Sequence, residues 1–495
     1  MERKWWTLIA VSVATFMLLL DITVVTTALP QIARDLGSTF SDLQWVIDAY
    51  SLTLAALLLT GGSLADRIGR RAVFAFGLVV FTVASALCGF AGSPLMLTLS
   101  RALQGIGGAC MFTTGLALIA SAFPPQERGV AIGVWGAVTG VSVAVGPLIG
   151  GAIVDGPGWE WIFFINIPIG VATLYFTFAR VDEYKGYAEG AIDWLGTVLF
   201  SVGLFALIFA TIRGNAEGWT SGLILGSYAV GVLLLIAFVI TERTVAHPMF
   251  DLSLFKKPAF VGASIAAFVL SASMFGMILY LVLYLQNILH YDALPAGLRF
   301  TPVTLTAALL SPIAGRRAGG AYARHFMGAG LGLIGIGLFL LTINSAGDAW
   351  TIMLPGFIVC GMGIGLANPA LATAAIGVVA QARAGMASGI NSTFRQVGTA
   401  AGIAIWGAIF EHKVAAEFPG PGGADFVISG AALRNPRLAP LAEHAFVAGL
   451  NLILLISAIV AIVGAVLVAV LVRPQDFVGQ DAGADRPAEA AAVGV

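Results

Sequence analysis

An aspartate stands inside the first long apolar run of the chain, Leu18-Leu19-Leu20-Asp21-Ile22-Thr23-Val24-Val25-Thr26-Thr27-Ala28-Leu29-Pro30. In hydrocarbon an ionised carboxylate has almost nothing to solvate it, and at the centre of a spanning helix it costs roughly 2.5–3.5 kcal/mol on insertion scales. Such an acid faces protein or a watered path, and the chemistry open to it is gaining and losing a proton. Two plainer readings compete. Asp21 is a packing group bonded to a Thr or Arg across a bundle, or residues 1–28 are a signal peptide, since Arg3 and Lys4 precede an apolar core. The second is disfavoured because the run from Trp6 exceeds an ordinary signal core and many similar runs follow.

The fourth apolar run carries Leu99-Ser100-Arg101-Ala102-Leu103-Gln104-Gly105, and the second carries Asp48. At about 1.5 Å per residue, Arg101 lies roughly 9 Å, Asp21 roughly 12 Å and Asp48 roughly 8 Å from their outer ends, which puts all three at one depth. A cation beside Asp21 holds its proton off while burial holds it on, so admitting water switches the group. Far along the chain, Asn391-Ser392-Thr393-Phe394-Arg395-Gln396 is a second polar cluster inside an apolar run, suited to the opposite wall of a cavity. Asn391 also begins a glycosylation sequon, but too deep in a helix to be an acceptor. Gly330-Leu331-Gly332-Leu333-Ile334-Gly335 fits a dinucleotide fingerprint by letters, with no strand before it.

Two glycine-bearing stretches have mechanical chemistry. In Gly62-Ser63-Leu64-Ala65-Asp66-Arg67-Ile68-Gly69-Arg70-Arg71, Gly69 permits a left-handed turn and the arginines suit a helix end beside anionic lipid. Asp66 opposes the macrodipole there, so it needs a cationic partner or the N-terminus of another helix, a contact that is made in one conformation and broken in another. In the fifth run, Gly136 with Gly140 and Gly146 with Gly150, followed by Gly151, allow close helix approach, and Pro147 is expected to bend the helix. Static packing explains that spacing equally well.

The elements that carry these groups follow from composition. With 59% hydrophobic and 10% charged residues among 495, the chain cannot coat a soluble globule and is a polytopic helical membrane protein. A formal net charge of -1 excludes nucleic acid as a partner. Apolar runs long enough to cross a bilayer fall at fourteen places, grouped six, two and six. The reading predicts a six-helix domain at 1–181, a linker with two extra helices at 182–256, a second six-helix domain at 257–472 and a disordered tail at 473–495. Arg128-Gly129-Val130-Ala131-Ile132-Gly133 and Arg383-Ala384-Gly385-Met386-Ala387-Ser388-Gly389 open the fifth and thirteenth spans as a weak repeat, so the halves are related and a binding site is expected between them. Of the 25 Lys and Arg, seventeen fall in loops on the N-terminal side, which makes both termini cytoplasmic. The link 411–444 is expected to form a small outer cap. Cys88, Cys110 and Cys360 sit in apolar runs as buried thiols. No phosphate-binding loop, metal spacing among the five histidines, or nucleophile with base and orienter is present, so neither an enzyme nor a cofactor is indicated.

Taken together, four stretches resemble the fourteen-span drug/proton antiporter branch of the major facilitator superfamily: the Asp21 run ending Ala28-Leu29-Pro30, the Gly62 to Arg71 loop, Arg101-Ala102-Leu103-Gln104-Gly105, and Gly146-Pro147-Leu148-Ile149-Gly150-Gly151. Trp159 to Pro168 is similar to that branch's fifth-to-sixth junction. The resemblance implies two six-helix bundles with an inserted pair, alternating access in the plasma membrane, and export of a small hydrophobic substrate against protons by a monomer. It implies Asp21 as the protonatable or substrate-sensing acid with Arg101 as its partner, Asp66, Arg67 and Arg70 as the cytoplasmic gate, and Gly146 to Gly151 as the antiporter helix. The chain departs from the pattern at Gly315-Arg316-Arg317-Ala318-Gly319-Gly320, which lacks the acid, so gating is expected to rest on the first half. A dedicated exporter of one endogenous metabolite or lipid, and a non-transporting scaffold or receptor, remain alternatives.

Overall fold

A computed structural model describes residues 2–473, apart from 39, 155, 185–192, 246–249, 251, 318–321, 343–347, 380–383, 421–422, 429 and 431 and a few side chains inside helices. The expected tail therefore lies outside the described residues from 474 onward, as do Lys185 and Arg383. The described residues are helical throughout, without strands.

The first bundle comprises α1 (Arg3–Leu36), α2 (Phe40–Ile68), α3 (Arg70–Gly89), α4 (Pro94–Ala122), α5 (Pro125–Val154), α6 (Trp161–Phe164) and α7 (Asn166–Arg180). Next come α8 (Trp194–Glu217) and α9 (Gly222–Thr244). The second bundle holds α10 (Pro258–Leu270), α11 (Gly276–Leu283), α12 (Ala293–Leu298), α13 (Thr301–Arg317), α14 (Ala323–Leu341), α15 (Leu354–Gly377), α16 (Ala384–Glu417), α17 (Gly423–Ile428) and α18 (Ala439–Leu471). Helical segments occupy all the stretches picked out from hydropathy, but eleven of them are long and apolar enough to cross a membrane. Those outside that set are α5, α13 and α16: α5 is interrupted by side chains outside the described residues, α13 is only 17 residues long, and α16 carries Asn391, Arg395, Gln396 and a charged end.

Local signals set several boundaries. Ser93 caps α4 by accepting from the Met96 N–H at 3.3 Å, with Pro94 at the first helical position. Asp193 caps α8 through the Gly196 N–H at 2.8 Å. Gly69 adopts φ +135° between α2 and α3, the conformation its turn requires. The outer link is shorter than expected, because α16 runs on to Glu417 and α18 begins at Ala439; what remains holds the short α17, tied back by Asn287 Nδ2 donating to the Ile428 carbonyl at 3.0 Å.

Each bundle has its own core, one built around Leu18, Leu54, Phe74, Leu78 and Phe81, the other around Phe260, Met277, Tyr284, Phe357 and Leu450. Large apolar side chains such as Phe76, Phe178, Val232 and Val466 lie on the outside, where a bilayer takes the place of water. The inserted pair is peripheral: α9 buries least of its surface, while α8 packs against α2 and α16 through Leu204 and Ile208, which meet Leu52 and Ala55, with Val397 and Ala400 alongside. Met274 and Tyr280 belong to the core of the second bundle; Tyr280 donates to the Ile403 carbonyl at 2.8 Å and packs on Phe410.

The bundles meet at two glycine crossings. At one, a Cβ on Gly62 of α2 would lie 2.2 Å from the carbonyl oxygen of Gly385 in α16. At the other, a Cβ on Gly129 of α5 would lie 1.8 Å from that of Gly315 in α13. Gly129 and Gly385 are glycines of the sequence repeat, and each bundle contributes one glycine to each crossing. Both crossings sit at the end that bears Arg67, Arg70, Arg71, Arg316 and Arg317. Further along α5, Gly136 and Gly140 continue the stripe of Gly129 and Gly133, since seven residues return a helix to within about 20° of the same face. There a Cβ would meet no described atom within 4 Å, so the glycine stripe of α5 is tight at the arginine-bearing end and leaves open space beside Gly136 and Gly140. We expect Gly62→Val to cost the closed arrangement about 1–3 kcal/mol by overpacking. With the native cysteines replaced, a cysteine at Ser388, now fully buried, should then be labelled by a water-soluble maleimide at least fivefold faster.

Candidate functional site

Asp21 is held in the interior of the first bundle. Its Oδ2 accepts from Arg101 Nη1 at 2.5 Å, and its Oδ1 accepts from Gln104 Nε2 at 3.0 Å and Asn166 Nδ2 at 3.2 Å. Arg101 also donates to Gln104 Oε1 at 2.6 Å and to the Val46 carbonyl at 3.3 Å, and its guanidinium lies 4.2 Å from the centre of the Tyr50 ring. Asn166 in turn donates to Ser85 Oγ at 3.0 Å. Helix geometry explains the meeting of Arg101 and Gln104: three residues apart on α4, they share one face toward α1. Asn166 reaches the site because the chain breaks between α6 and α7 just before it.

Asp21 does not look into the seam between bundles; its described partners all belong to α4 and α7, and its side chain is 1% exposed. A buried ion pair of this kind is costly to split, because removing one partner strands the other charge at about 3–5 kcal/mol. In this conformation the acid is therefore locked and dry. Asn166 carries part of the lock and went unassigned in the sequence; its signal was a lone amide in the apolar stretch Phe163 to Ile167.

Asp48 does not join that network despite its similar depth. It lies 4.0 Å from Arg213 of α8, which donates to Glu217 at 2.7 Å and rests over the Trp45 ring. Arg213 is buried within α8, four residues before its end. The pair thus ties the inserted helix to α2.

The turn after α2 is the second constellation. Asp66 Oδ1 accepts from Arg70 Nε at 3.0 Å and Nη2 at 2.8 Å, and the carboxylate also accepts the backbone N–H groups of Gly385 at 3.1 Å and Met386 at 2.9 Å. Those amides open α16, so a carboxylate of one bundle sits on the positive end of a helix in the other. Arg70 is fixed further by Ser121 and by the Ala117 carbonyl at 3.4 Å. Arg67 is half-buried in the same turn. Arg71 donates to the Val181 carbonyl at 3.1 Å, and Glu183 accepts from the amides of Arg71 at 2.9 Å and Ala72 at 3.1 Å, capping α3 with a linker residue that sequence alone does not single out.

The glycines of α5 divide in two. Gly146 and Gly150 press on α1, where added Cβ atoms would lie 1.8 Å from Thr23 Oγ1 and 2.3 Å from Thr27 Oγ1, within two turns of Asp21. Gly136, Gly140 and Gly151 make no such approach, so the expected uniform close packing holds for one face only. The side chain of Pro147 lies outside the described residues, and the helix runs on through it.

In the second bundle Arg395 donates to Asn368 Oδ1 of α15 at 2.9 Å. Asn391, one turn earlier, is buried with its Nδ2 unpartnered among the described residues. No group of three or more His, Cys, Asp or Glu suited to a metal is found among the described residues.

The sequence profile of the Major Facilitator Superfamily matches residues 11–403. The chain is 37% identical over 407 residues to the multidrug resistance protein Stp of Mycobacterium tuberculosis, covering 81% of this chain and 75% of that protein. It is 35% identical over 420 residues to a probable actinorhodin transporter of Streptomyces coelicolor, covering 82% and 72%. Its fold is similar to that of the proton:xylose symporter XylE, with a TM-score of 0.62 at 12% identity over 95% of this chain and 96% of that one.

Proposed function

This chain belongs to the Major Facilitator Superfamily, and from that premise we propose that it exports hydrophobic drugs or antibiotics from the cell in exchange for protons, by alternating access. It is a transporter and not an enzyme. The observation that carries the alternating step is the bond of Asp66 to the first amides of α16, a polar contact across the seam at the arginine-bearing end. The names of the relatives bear on the cargo, and the open space beside Gly136 and Gly140 offers it room.

In this reading the protein crosses the plasma membrane fourteen times as a monomer, with both termini and the arginine-bearing end cytoplasmic. Bundles at 1–181 and 257–472 rock about the seam while 182–256 supplies the inserted pair. The conformation described is then shut toward the cytoplasm. For proton coupling, Arg101 turns away from Asp21 as α1 and α4 rearrange, and the stranded carboxylate takes up a proton in place of its lost partner. Each tenfold proton gradient supplies about 1.4 kcal/mol, and each charge crossing 100 mV about 2.3 kcal/mol, enough for one proton to sustain a substantial substrate gradient.

The test is flux in proteoliposomes with an imposed pH gradient, across a chemically diverse panel of hydrophobic compounds. Uptake into acid-loaded vesicles that collapses with a protonophore is expected for several unrelated compounds. A single accepted compound would support a dedicated exporter, and no flux at all would remove the transport reading.

A further inference from the structure

We propose that Arg395, with Asn368 and Asn391, is a binding site for the anionic oxygen of an aromatic organic acid, and that organic anions are therefore preferred cargo. The proposal rests on the export reading and adds the charge of the substrate. Its starting point is which charges are already answered. Asp21 is held by Arg101, Asp66 by Arg70 and by the amides of α16, and Asp48 faces Arg213. Arg395 has no carboxylate among the described residues; its described partner is the neutral Asn368. One guanidinium deep in the second bundle is thus left over, with most of its five N–H donors free for a ligand.

Its placement points the same way. Arg395 and Ser388 are seven residues apart on α16 and so share a face, and Ser388 Oγ donates to the Thr113 carbonyl of α4 in the other bundle at 3.0 Å. The stripe that bears Arg395 therefore looks across the seam. Arg395 lies eleven residues from the start of α16, and Gly136 eleven from the start of α5. Both starts are at the arginine-bearing end, so each is about 16 Å along its helix. The half-buried guanidinium consequently stands at the depth where a Cβ on Gly136 or Gly140 of α5 would meet nothing. α15, which supplies Asn368, also touches α5. The unpartnered Nδ2 of Asn391, on a residue 5% exposed, adds a second donor one turn away. A planar guanidinium with an amide donor beside it matches the two oxygens of a carboxylate, and the open space beside Gly136 and Gly140 at the same depth has room for a flat ring. A cation there would meet Arg395 with nothing to offset it.

Three anthracene probes that differ only in charge make the test: anthracene-9-carboxylate, its methyl ester and 9-(aminomethyl)anthracene. Binding to the purified full chain in detergent, read by probe fluorescence, is expected to favour the carboxylate over the ammonium by tenfold or more. Arg395→Gln should abolish that preference, Asn368→Ala should weaken it severalfold, and Arg317→Gln, which removes an exposed charge at the end of α13, should leave it intact. Size-exclusion profile and thermal midpoint check that each variant is folded. Ammonium binding equal to carboxylate binding, no probe binding at all to the unaltered chain, or an unchanged preference in folded Arg395→Gln would each overturn the proposal. Proton-driven flux of the hydrophobic panel is scored separately: flux without carboxylate preference removes this site and leaves the export reading standing, whereas preference without flux does the reverse.

Discussion

Asp21→Asn is expected to abolish proton-driven efflux and, unlike an ordinary surface change, to weaken the fold. The amide still accepts from Gln104 or Asn166 through its oxygen, but it strands Arg101, whose side chain is 2% exposed. An uncompensated buried charge of that kind costs about 3–5 kcal/mol. The double variant Asp21→Asn with Arg101→Gln removes both charges from the site and should recover most of the lost stability. It should not recover coupling, because no group in the site then binds and releases a proton. Thermal midpoints of the purified proteins and flux in proteoliposomes under a pH gradient separate the two effects. Undiminished coupling in the folded double variant would take Asp21 and Arg101 out of the proton path altogether, and a double variant no more stable than the single one would show that the pair is not the energetic unit described.

What could be read beforehand follows from the kind of signal each feature leaves. Spanning helices leave a strong one, because twenty apolar residues in a row have few other uses, and helices stand at every stretch marked out. The depth of Asp21 and Arg101 was legible by rise per residue, which fixes height but not azimuth. That is why Asp48, at a similar height, was grouped with them while in the fold it faces α8 and Arg213. Azimuth depends on which helices pack together, and no local pattern states that. The same gap hid Asn368 and Asn166, single amides whose importance comes only from what the fold sets opposite them. Asp66 was more readable: a negative charge at a helix C-terminus is wrong on its own helix, so it demanded an outside partner. That the partner is the start of α16 follows from the paired glycine crossings, whose repeat was faint in sequence and is plain in space.

Asp66→Asn is expected to loosen the arginine-bearing end more than any other single polar change there. The two crossings are not equivalent. At Gly129 and Gly315 the contact is backbone against backbone, and the neighbouring Arg316 and Arg317 are exposed, so no carboxylate joins the bundles there among the described residues. At Gly62 and Gly385 the carboxylate of Asp66 adds its charge to the first amides of α16. A charge on a helix N-terminus is worth up to about 2 kcal/mol when partly buried, and at about 1.4 kcal/mol per tenfold its loss shifts the balance toward the open end by roughly five- to thirtyfold. The amide keeps one acceptor for Arg70 or Gly385, which limits damage inside the first bundle. Spin labels at Ile68 and Tyr322, both exposed at that end and on opposite bundles, report the change as a distance. The expected result is a new, longer population in Asp66→Asn together with slower efflux, since a cycle that cannot hold one end shut releases substrate on the wrong side. If the distance distribution were the same as in the unaltered chain, Asp66 would be a local partner of Arg70 only, and closure would rest on the glycine crossings alone.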